Sequence, residues 1–240
     1  MEKGKILFNG NEKKIYATKN PDEVLIHYTD VITCYNSVKR AKIIGKGAVT
    51  NQISSVLFEF LTKKGMKTHF IRRVNDCDQL CRKVNVIPLE FVARTRAAGE
   101  MSHRFRMDEG TKLNRLVIDV YFNDNSLGNP LINNYHVVAL DIATAEELQE
   151  MYRQVREVFA MLAELCIESH LELVDLKLEF GRDKDGILII SDEISPDTCR
   201  FWDADTGTKL DKDRFRHDMS DVLASYKEVL KRLNGLELRD

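Results

Sequence analysis

One stretch of eight residues, 173–180, restricts the possible folds of this chain more than any other. From Val174 to Phe180 it alternates apolar and charged residues without a break. Because successive side chains of a strand point to opposite faces, we expect a strand whose apolar face is buried: Val174, Leu176, Leu178 and Phe180. The opposite face would carry three charged side chains: Asp175, Lys177 and Glu179. The alternative is an ordinary half-exposed strand with solvated charges.

A second strand is predicted at residues 187–194, after a six-residue loop with a glycine at each end. If Phe180 pairs with Ile187, Asp192 lies opposite Asp175 and joins the charged face. Carboxylates offer magnesium hard oxygen ligands, and an ammonium group binds phosphate oxygens. The charged side chains on this face therefore predict a site for magnesium and a nucleotide phosphate, provided that no β-bulge shifts the pairing of the two strands.

The rest of the chain mixes strands and helices. Short β-like runs between turn residues predict strands at 5–8, 14–18, 24–28, 68–74, 86–94 and 116–122. Apolar side chains at three-to-four-residue spacing predict helices at 49–64, 145–169 and 214–233. Thr144 and Glu147 have the spacing of a capping box. We expect an α+β fold in two lobes, a β-rich N-terminal lobe (1–85) and a larger mixed lobe (86–240).

Charge is distributed unevenly although the net charge is only −2. Residues 63–106 hold 11 Lys/Arg against 4 Asp/Glu, whereas residues 175–213 hold 6 against 11. The small total argues against a protein that coats polyanions.

Five cysteines without a CxxC pair indicate reduced thiols. The N-terminus lacks the apolar core of a signal peptide, so we expect a cytoplasmic protein.

Two turns near the N-terminus carry lysines. Gly10 lies between two predicted strands and Lys13 follows it, so this hairpin would cover nucleotide phosphates or be an ordinary type I′ hairpin with surface lysines. Gly45-Lys46-Gly47 precedes the first helix and would either bind an anion or only start that helix.

Two arginine positions come next. Arg94 shares a strand face with Glu90, and Arg94 and Arg96 precede a small-residue turn where an anion would find close backbone approach. Arg200 follows Pro196 on an expected loop and would bind a phosphate or carboxylate, or form a surface ion pair with Asp203 or Asp205.

Five segments in order along the chain resemble the phosphoribosylaminoimidazole-succinocarboxamide synthase (SAICAR synthase) family. They lie at 87–99, 124–133, 173–181, 192–203 and 211–216. The resemblance implies a two-lobed fold with ATP in the cleft, and a homodimer. It also implies a magnesium- and ATP-dependent ligase of purine biosynthesis. That enzyme joins the amine of L-aspartate to the carboxylate of carboxyaminoimidazole ribonucleotide (CAIR), releasing SAICAR, ADP and phosphate.

The resemblance also implies roles for individual residues. ATP would be contacted by Gly10, Lys13, Glu90 and Lys177 and, at its adenine, by a strand at 80–84 that includes Leu80, Lys83 and Val84. Catalytic roles fall to Lys177 and to Asp175, which would lie near the ribose. Magnesium would be held by Glu179 and Asp192. The ribonucleotide would be bound by Arg94, Ser102 and Arg200.

Three positions depart from the family pattern. Asn11 replaces a common lysine, Asn36 a common aspartate, and Glu100 the serine that follows Gly99. A carboxylate at position 100 would repel a phosphate, so Ser102 or the backbone N–H groups of the turn would take over that contact.

Two other functions use the same features. A small-molecule kinase of related architecture would need the same hairpin, lysine and carboxylates, and a non-catalytic nucleotide sensor would bind ATP without turnover. ADP formation that depends on aspartate separates the ligase from both. Nucleic-acid binding is disfavoured because the basic stretch carries no recognition motif.

Overall fold

The computed structural model describes residues 2–35 and 37–237 and has an α+β fold. The strands are β1 Ile6–Asn9, β2 Lys13–Ala17, β3 Glu23–Tyr28, β4 Val31–Cys34, β5 Lys39–Lys42, β6 Phe70–Arg73, β7 Asp78–Arg82, β8 Asn85–Arg96, β9 Lys112–Phe122, β10 Leu131–Ile132, β11 Leu171–Arg182, β12 Leu188–Ser191 and β13 Cys199–Asp203. The helices are α1 Lys46–Lys63, α2 Glu100–Phe105, α3 Asn134–Ala139, α4 Ala145–Glu168, α5 Asp213–Arg216 and α6 Val222–Glu237.

The strands form antiparallel sheets. The first sheet has the order β1-β2-β3-β7-β6 and the second has the order β10-β9-β8-β11-β12, while β4 and β5 form a separate hairpin. β8 occupies one edge of β11, and β13 and β12 share the other edge. β11, the strand that carries the charged residues singled out in the sequence, is therefore hydrogen-bonded to neighbouring strands along both edges.

The main hydrophobic core joins the second sheet to α1, α4 and α6. It includes Ile53 of α1, Leu162 of α4, Leu178 of β11 and Tyr226 of α6. The predicted capping box at the start of α4 is confirmed. Because α1 shares this core, the predicted lobe boundary separates the two large sheets but not the packing, and the two-lobe division stays a prediction.

The predicted pairing of β11 with β12 is wrong. Glu179 lies opposite Ser191 and Phe180 opposite Ile190, so Asp192 does not face Asp175. Leu176, Leu178 and Phe180 enter the main core as predicted. A bulge after Leu173 sends Val174 to a separate cluster with Ala98 and Trp202, because the extra residue reverses the face.

The C-terminal helix also differs from the prediction. It is divided into α5 and α6, because Asp218 and Asp221 between them adopt left-handed φ angles of 54° and 62°, which a continuous right-handed helix does not contain. α6 continues through Gly235, where a stop was predicted. The short elements β4, β5, β10, α2 and α3 were not predicted, and the strand expected at 80–84 is β7, which ends at Arg82. Within the described residues, no helix combines the length and apolarity needed to cross a membrane.

Candidate active site

Two lysines and four carboxylates meet where the β1–β2 hairpin reaches the second sheet. We call this group the charge cluster: Lys13, Glu90, Lys177, Glu179, Asp192 and Glu193. The Lys177 Nζ lies 2.5 Å from Glu179 Oε1, 3.1 Å from Glu90 Oε1 and 3.3 Å from Asp192 Oδ2. The Lys13 Nζ forms ion pairs with Asp192 and, at 3.0 Å, with Glu193 Oε1. Residues from three distant parts of the chain thus share one site.

Asp192 reaches this cluster by a route that the strand pairing did not predict. It follows the last residue of β12 and has a left-handed φ of 66°. The chain therefore leaves the strand there, and the Asp192 carboxylate turns towards Lys13 and Lys177. The predicted association of Asp192 with Lys177 and Glu179 is present, although the register that suggested it is wrong.

The charge cluster carries more negative than positive charge. Burial lowers the pKa of Lys13 and of Lys177, but the neighbouring carboxylates outweigh burial and raise both pKa values well above the usual value. Burial and the charge of Asp192 raise the pKa of Glu179 to about 7. Four carboxylates facing two lysines leave an excess of negative charge, which favours a bound cation.

A cavity of about 310 Å³ adjoins the cluster. It is lined by Glu90, Val92, Arg94, Glu100, Tyr121, Gly128, Asn129, Asp175, Lys177, Asp197, Thr198, Cys199, Arg200 and Arg216. Lys177 and Glu90 belong to both the cavity and the cluster, so a group bound in the cavity would lie beside the cluster.

Arg200 crosses one wall of the cavity between two carboxylates. Its Nη1 donates to Asp175 Oδ2 at 2.5 Å, and its Nε donates to Asp213 Oδ2 at 2.7 Å. The expected loop position is wrong, because Arg200 lies in β13; the suggested pairing with Asp203 is also wrong, because Asp203 pairs with Arg232. A carboxylate on each side fixes the plane of the guanidinium group.

Arg94 and Gly99 complete this wall. Arg94 is buried, donates to the Ala98 carbonyl oxygen at 2.9 Å, and lies 3.7 Å from both Asp119 and Asp175. Gly99 has φ of 56°, and a Cβ there would lie 2.4 Å from Arg200 Nη2. Arg96 is directed elsewhere and pairs with Glu172 at 2.6 Å, so the suggested anion contact of Arg96 has no support.

The substitution at position 100 has a clear place in the structure. Glu100 lines the cavity, whereas Ser102 does not. The Ser102 hydroxyl is buried and has no hydrogen-bond partner among the described residues.

At the second position that departs from the family pattern, the Asn11 amide donates to Ser37 Oγ at 3.1 Å. Asn36 lies outside the described residues.

The residues expected near adenine lie where the chain passes between the large sheets. Leu80 is buried in β7, and Lys83 and Val84 connect β7 to β8. A Cβ on Gly181 would lie 2.7 Å from Val84, so the connection packs closely on β11.

In the β1–β2 hairpin, Gly10 does not have a left-handed φ, which excludes the type I′ turn that the sequence left open.

The glycines at the start of α1 have a structural partner. The Gly45 and Gly47 N–H groups both donate to Asp30 Oδ1 at 3.1 Å. Lys46 is buried and forms an ion pair with Asp197. These groups are therefore already occupied, which favours the interpretation that this segment starts the helix.

Several site residues were not predicted. Arg216 lines the cavity and its Nη1 lies 2.5 Å from Asp213 Oδ1. Asp197 also lines it and accepts a hydrogen bond from the Tyr226 hydroxyl at 2.7 Å. Asp197 and Tyr226 lie far apart in the sequence, so no local pattern marks their contact, whereas Asp213 and Arg216 lie three residues apart in α5.

A second group of potential metal ligands lies outside the charge cluster. Glu109, Asp213 and His217 each place a ligand atom within 4.8 Å of the others. Asp213 is already bonded to Arg200 and Arg216, and Glu109 pairs with Lys209 at 2.7 Å. The nearby cations make this group a poor cation site.

Asp211 gives a testable pH dependence of stability. Burial and the charge of Asp213 raise its pKa to about 8, against the opposing effect of Arg200. The folded state therefore binds the proton more tightly than the unfolded state, and stability falls as pH rises from about 4 to about 8. We expect Asp211→Asn, which imitates the protonated acid, to gain Tm relative to the parent as pH rises. Melting curves at pH 5, 7 and 9 test this; a Tm difference that is constant with pH would contradict it.

Comparison with known proteins shows which family this chain resembles along nearly its whole length. A family model described as SAICAR synthetase matches residues 6–233. Phosphoribosylaminoimidazole-succinocarboxamide synthase of Clostridium botulinum (strain Eklund 17B / Type B) is 48% identical over 234 residues, which are 98% of this chain and 100% of that protein. The crystal structure of the synthase from Ehrlichia chaffeensis has a TM-score of 0.94 at 40% identity, covering 96% of this chain and 98% of that one. A SAICAR synthetase solved in complex with ADP has a TM-score of 0.93 at 36% identity, covering 96% and 98%.

With these relatives, the fold and the charge cluster define an enzyme of the ligase class. The similarity extends over nearly the whole chain rather than one motif. The chain belongs to the SAICAR synthetase family. The resemblance found in the sequence is confirmed, and the kinase alternative is not favoured.

Proposed function

We propose that this protein joins L-aspartate to the carboxylate of CAIR, consuming ATP and releasing SAICAR, ADP and phosphate. The observation that carries the proposal is the direct contact between the charge cluster and the arginine-lined cavity. β11 supplies Asp175 to the cavity and Glu179 to the cluster, with Lys177 in both. A rigid strand thus holds a phosphate-handling site beside an anion-binding site. The family membership of the chain supports the same reaction.

The first step activates a carboxylate, which is a poor electrophile near neutral pH. An oxygen of the CAIR carboxylate attacks the γ-phosphorus of ATP, and the bond from that phosphorus to the β,γ-bridging oxygen breaks. ADP leaves and an acyl phosphate remains. Lys177 and Lys13 stabilise the charge on the transferred group, since positioning and electrostatics supply most of the catalysis of phosphoryl transfer.

The second step forms the amide. The amine of aspartate, in its neutral form, attacks the acyl carbon, and the bond from carbon to the phosphate oxygen breaks. Inorganic phosphate leaves, and the nitrogen loses a proton. Arg94 and Arg200 hold the ribonucleotide phosphate, while Asp175 fixes Arg200 and lies near the ribose. Holding both reactants in one cavity supplies the orientation that the step requires.

The charge cluster fits magnesium. Glu179 and Asp192 offer hard oxygen ligands in a site where four carboxylates face two lysines. These two residues would hold the ion. When bound, magnesium supplies charge neutralisation for the phosphate oxygens of ATP.

The remaining roles concern ATP, the ribonucleotide and assembly. Gly10 permits the hairpin, because a Cβ there would lie 2.6 Å from the Phe8 ring. We assign adenine contacts to Leu80, Lys83 and Val84 and a further ATP contact to Glu90. Ser102 stays a predicted ribonucleotide contact although it lies outside the cavity lining. A homodimer and a cytoplasmic location also stay predictions.

A coupled assay for ADP release tests the function. With magnesium and ATP, we expect ADP formation only when CAIR and aspartate are both present, with one ADP released for each aspartate consumed. ADP formation that needs CAIR but consumes no aspartate would favour the small-molecule kinase. Binding of ATP without turnover under any of these conditions would favour the nucleotide sensor.

A further inference from the structure

Glu12 lies in the hairpin turn beside Lys13 and has three donors around one carboxylate oxygen. Its Oε1 accepts from the Thr33 N–H at 2.6 Å, from the Thr33 hydroxyl at 3.1 Å and from Lys212 Nζ at 2.7 Å. Its Oε2 also lies 3.0 Å from Lys212 Nζ. The turn is therefore bound both to β4 and to a residue 200 positions later in the chain.

Lys212 stands at the start of the segment that holds the cavity arginines. Its backbone N–H donates to the Pro196 carbonyl oxygen at 3.0 Å, which fixes it to the loop bearing Asp197. The next residue, Asp213, binds both Arg200 and Arg216 through its carboxylate. Any displacement of Lys212 would therefore move the anchor of two arginines that line the cavity.

A second contact joins the same two parts of the molecule. The Lys39 Nζ on β5 donates to the Phe215 carbonyl oxygen at 2.6 Å and to Asp218 Oδ1 at 2.7 Å. The segment from Lys212 to Asp218 is thus held from the N-terminal side at both ends. Glu12 and Lys212 are mostly buried, and a buried ion pair adds little net stability compared with apolar side chains. Its effect lies instead in the orientation that it imposes.

We propose that Glu12 and Lys212 are positioning residues that couple nucleotide binding to ribonucleotide binding. ATP phosphates at the hairpin would fix Glu12, Glu12 would fix Lys212, and Asp213 would then present Arg200 and Arg216 to the ribonucleotide. By reciprocity, the ribonucleotide would tighten the binding of nucleotide by the same factor. The inference rests on the proposed function for the identity of the two ligands.

Calorimetric titration of the full chain measures this coupling. The magnesium complex of the β,γ-imido analogue of ATP is titrated with and without CAIR, in the absence of aspartate. We expect CAIR to tighten nucleotide binding about 5-fold or more in the unmodified protein and less than about 2-fold in Lys212→Met. Glu12→Gln and the double variant should show the same low coupling, because one interaction is lost in all three. Lys212→Arg should restore most of it.

The matched control is Asp22→Asn. Asp22, in the turn between β2 and β3, pairs with Lys184 of the β11–β12 loop at 3.4 Å, so it also links the first sheet to the second but forms no ion pair with the described 212–218 segment. This variant should keep full coupling. In steady-state assays, Lys212→Met should raise the KM of each substrate when the other is limiting, with a smaller effect on kcat.

The outcomes separate the two proposals. Full coupling in Lys212→Met, or no coupling in an unmodified protein that binds both ligands, would overturn the positioning role and leave the function standing. An unmodified protein that does not bind CAIR would overturn the proposed function together with this inference. Circular dichroism and melting curves show whether each variant is folded.

Discussion

Replacing Lys177 by methionine should lower kcat by about 10²–10³-fold while leaving the fold intact. Lys177 contacts three carboxylates of the charge cluster and also lines the cavity, and in the proposed reaction its ammonium would stabilise the transferred phosphoryl group. Loss of one preorganised charge of this kind costs about that factor. Methionine keeps a long side chain on the strand, and the core face of β11, with Leu176 and Leu178, is unchanged. Steady-state rates of ADP release, with melting curves, measure both effects.

Lys184→Met is the matched control for this prediction. Lys184 is exposed in the loop between β11 and β12, so its removal should leave kcat within about 2-fold of the parent. Asp192→Asn should resemble Lys177→Met, because Asp192 pairs with both Lys13 and Lys177. A near-normal kcat in folded Lys177→Met would remove the charge cluster from the mechanism.

Local patterns in the sequence predict the parts of this fold that local physics determines. The alternation around Lys177 predicted the strand and three of its four core residues, Leu176, Leu178 and Phe180, because successive side chains of a strand point to opposite faces. The apolar stripe and the capping box gave α4 to within one residue at its C-terminal end. Arg94 and Lys177, which come from two segments that the sequence singles out, both line the cavity.

Geometry that depends on a single residue could not be predicted in this way. The bulge after Leu173 and the left-handed Asp192 change faces and directions without a signal in the apolar pattern. The partners of Arg200 were missed because Asp175 and Asp213 come from different elements, and the nearer Asp203 was the obvious choice by sequence. Long-range ion pairs such as Lys46 with Asp197 follow from tertiary packing alone.

Replacing Arg200 by lysine should raise the KM for CAIR about 10- to 100-fold and leave the KM for ATP nearly unchanged. The guanidinium bonds to Asp175 and Asp213 at the same time, whereas a single ammonium on a flexible stem cannot hold both. One buried carboxylate then loses its hydrogen bond to residue 200, at a cost of about 1–3 kcal/mol, and every 1.4 kcal/mol corresponds to tenfold in binding. The same loss should lower Tm by several degrees.

Arg96→Lys separates the loss of binding from the loss of stability. Arg96 lies two residues from Arg94 on β8 and also has two partners, Glu172 and the Gly110 carbonyl oxygen, but it does not line the cavity. We expect this variant to lose some Tm and to keep its KM for CAIR. If Arg200→Lys lowers Tm without raising that KM, Arg200 only supports the cavity wall. If it raises that KM while Arg96→Lys does not, the effect belongs to the cavity, because both variants exchange the same functional group at a paired site.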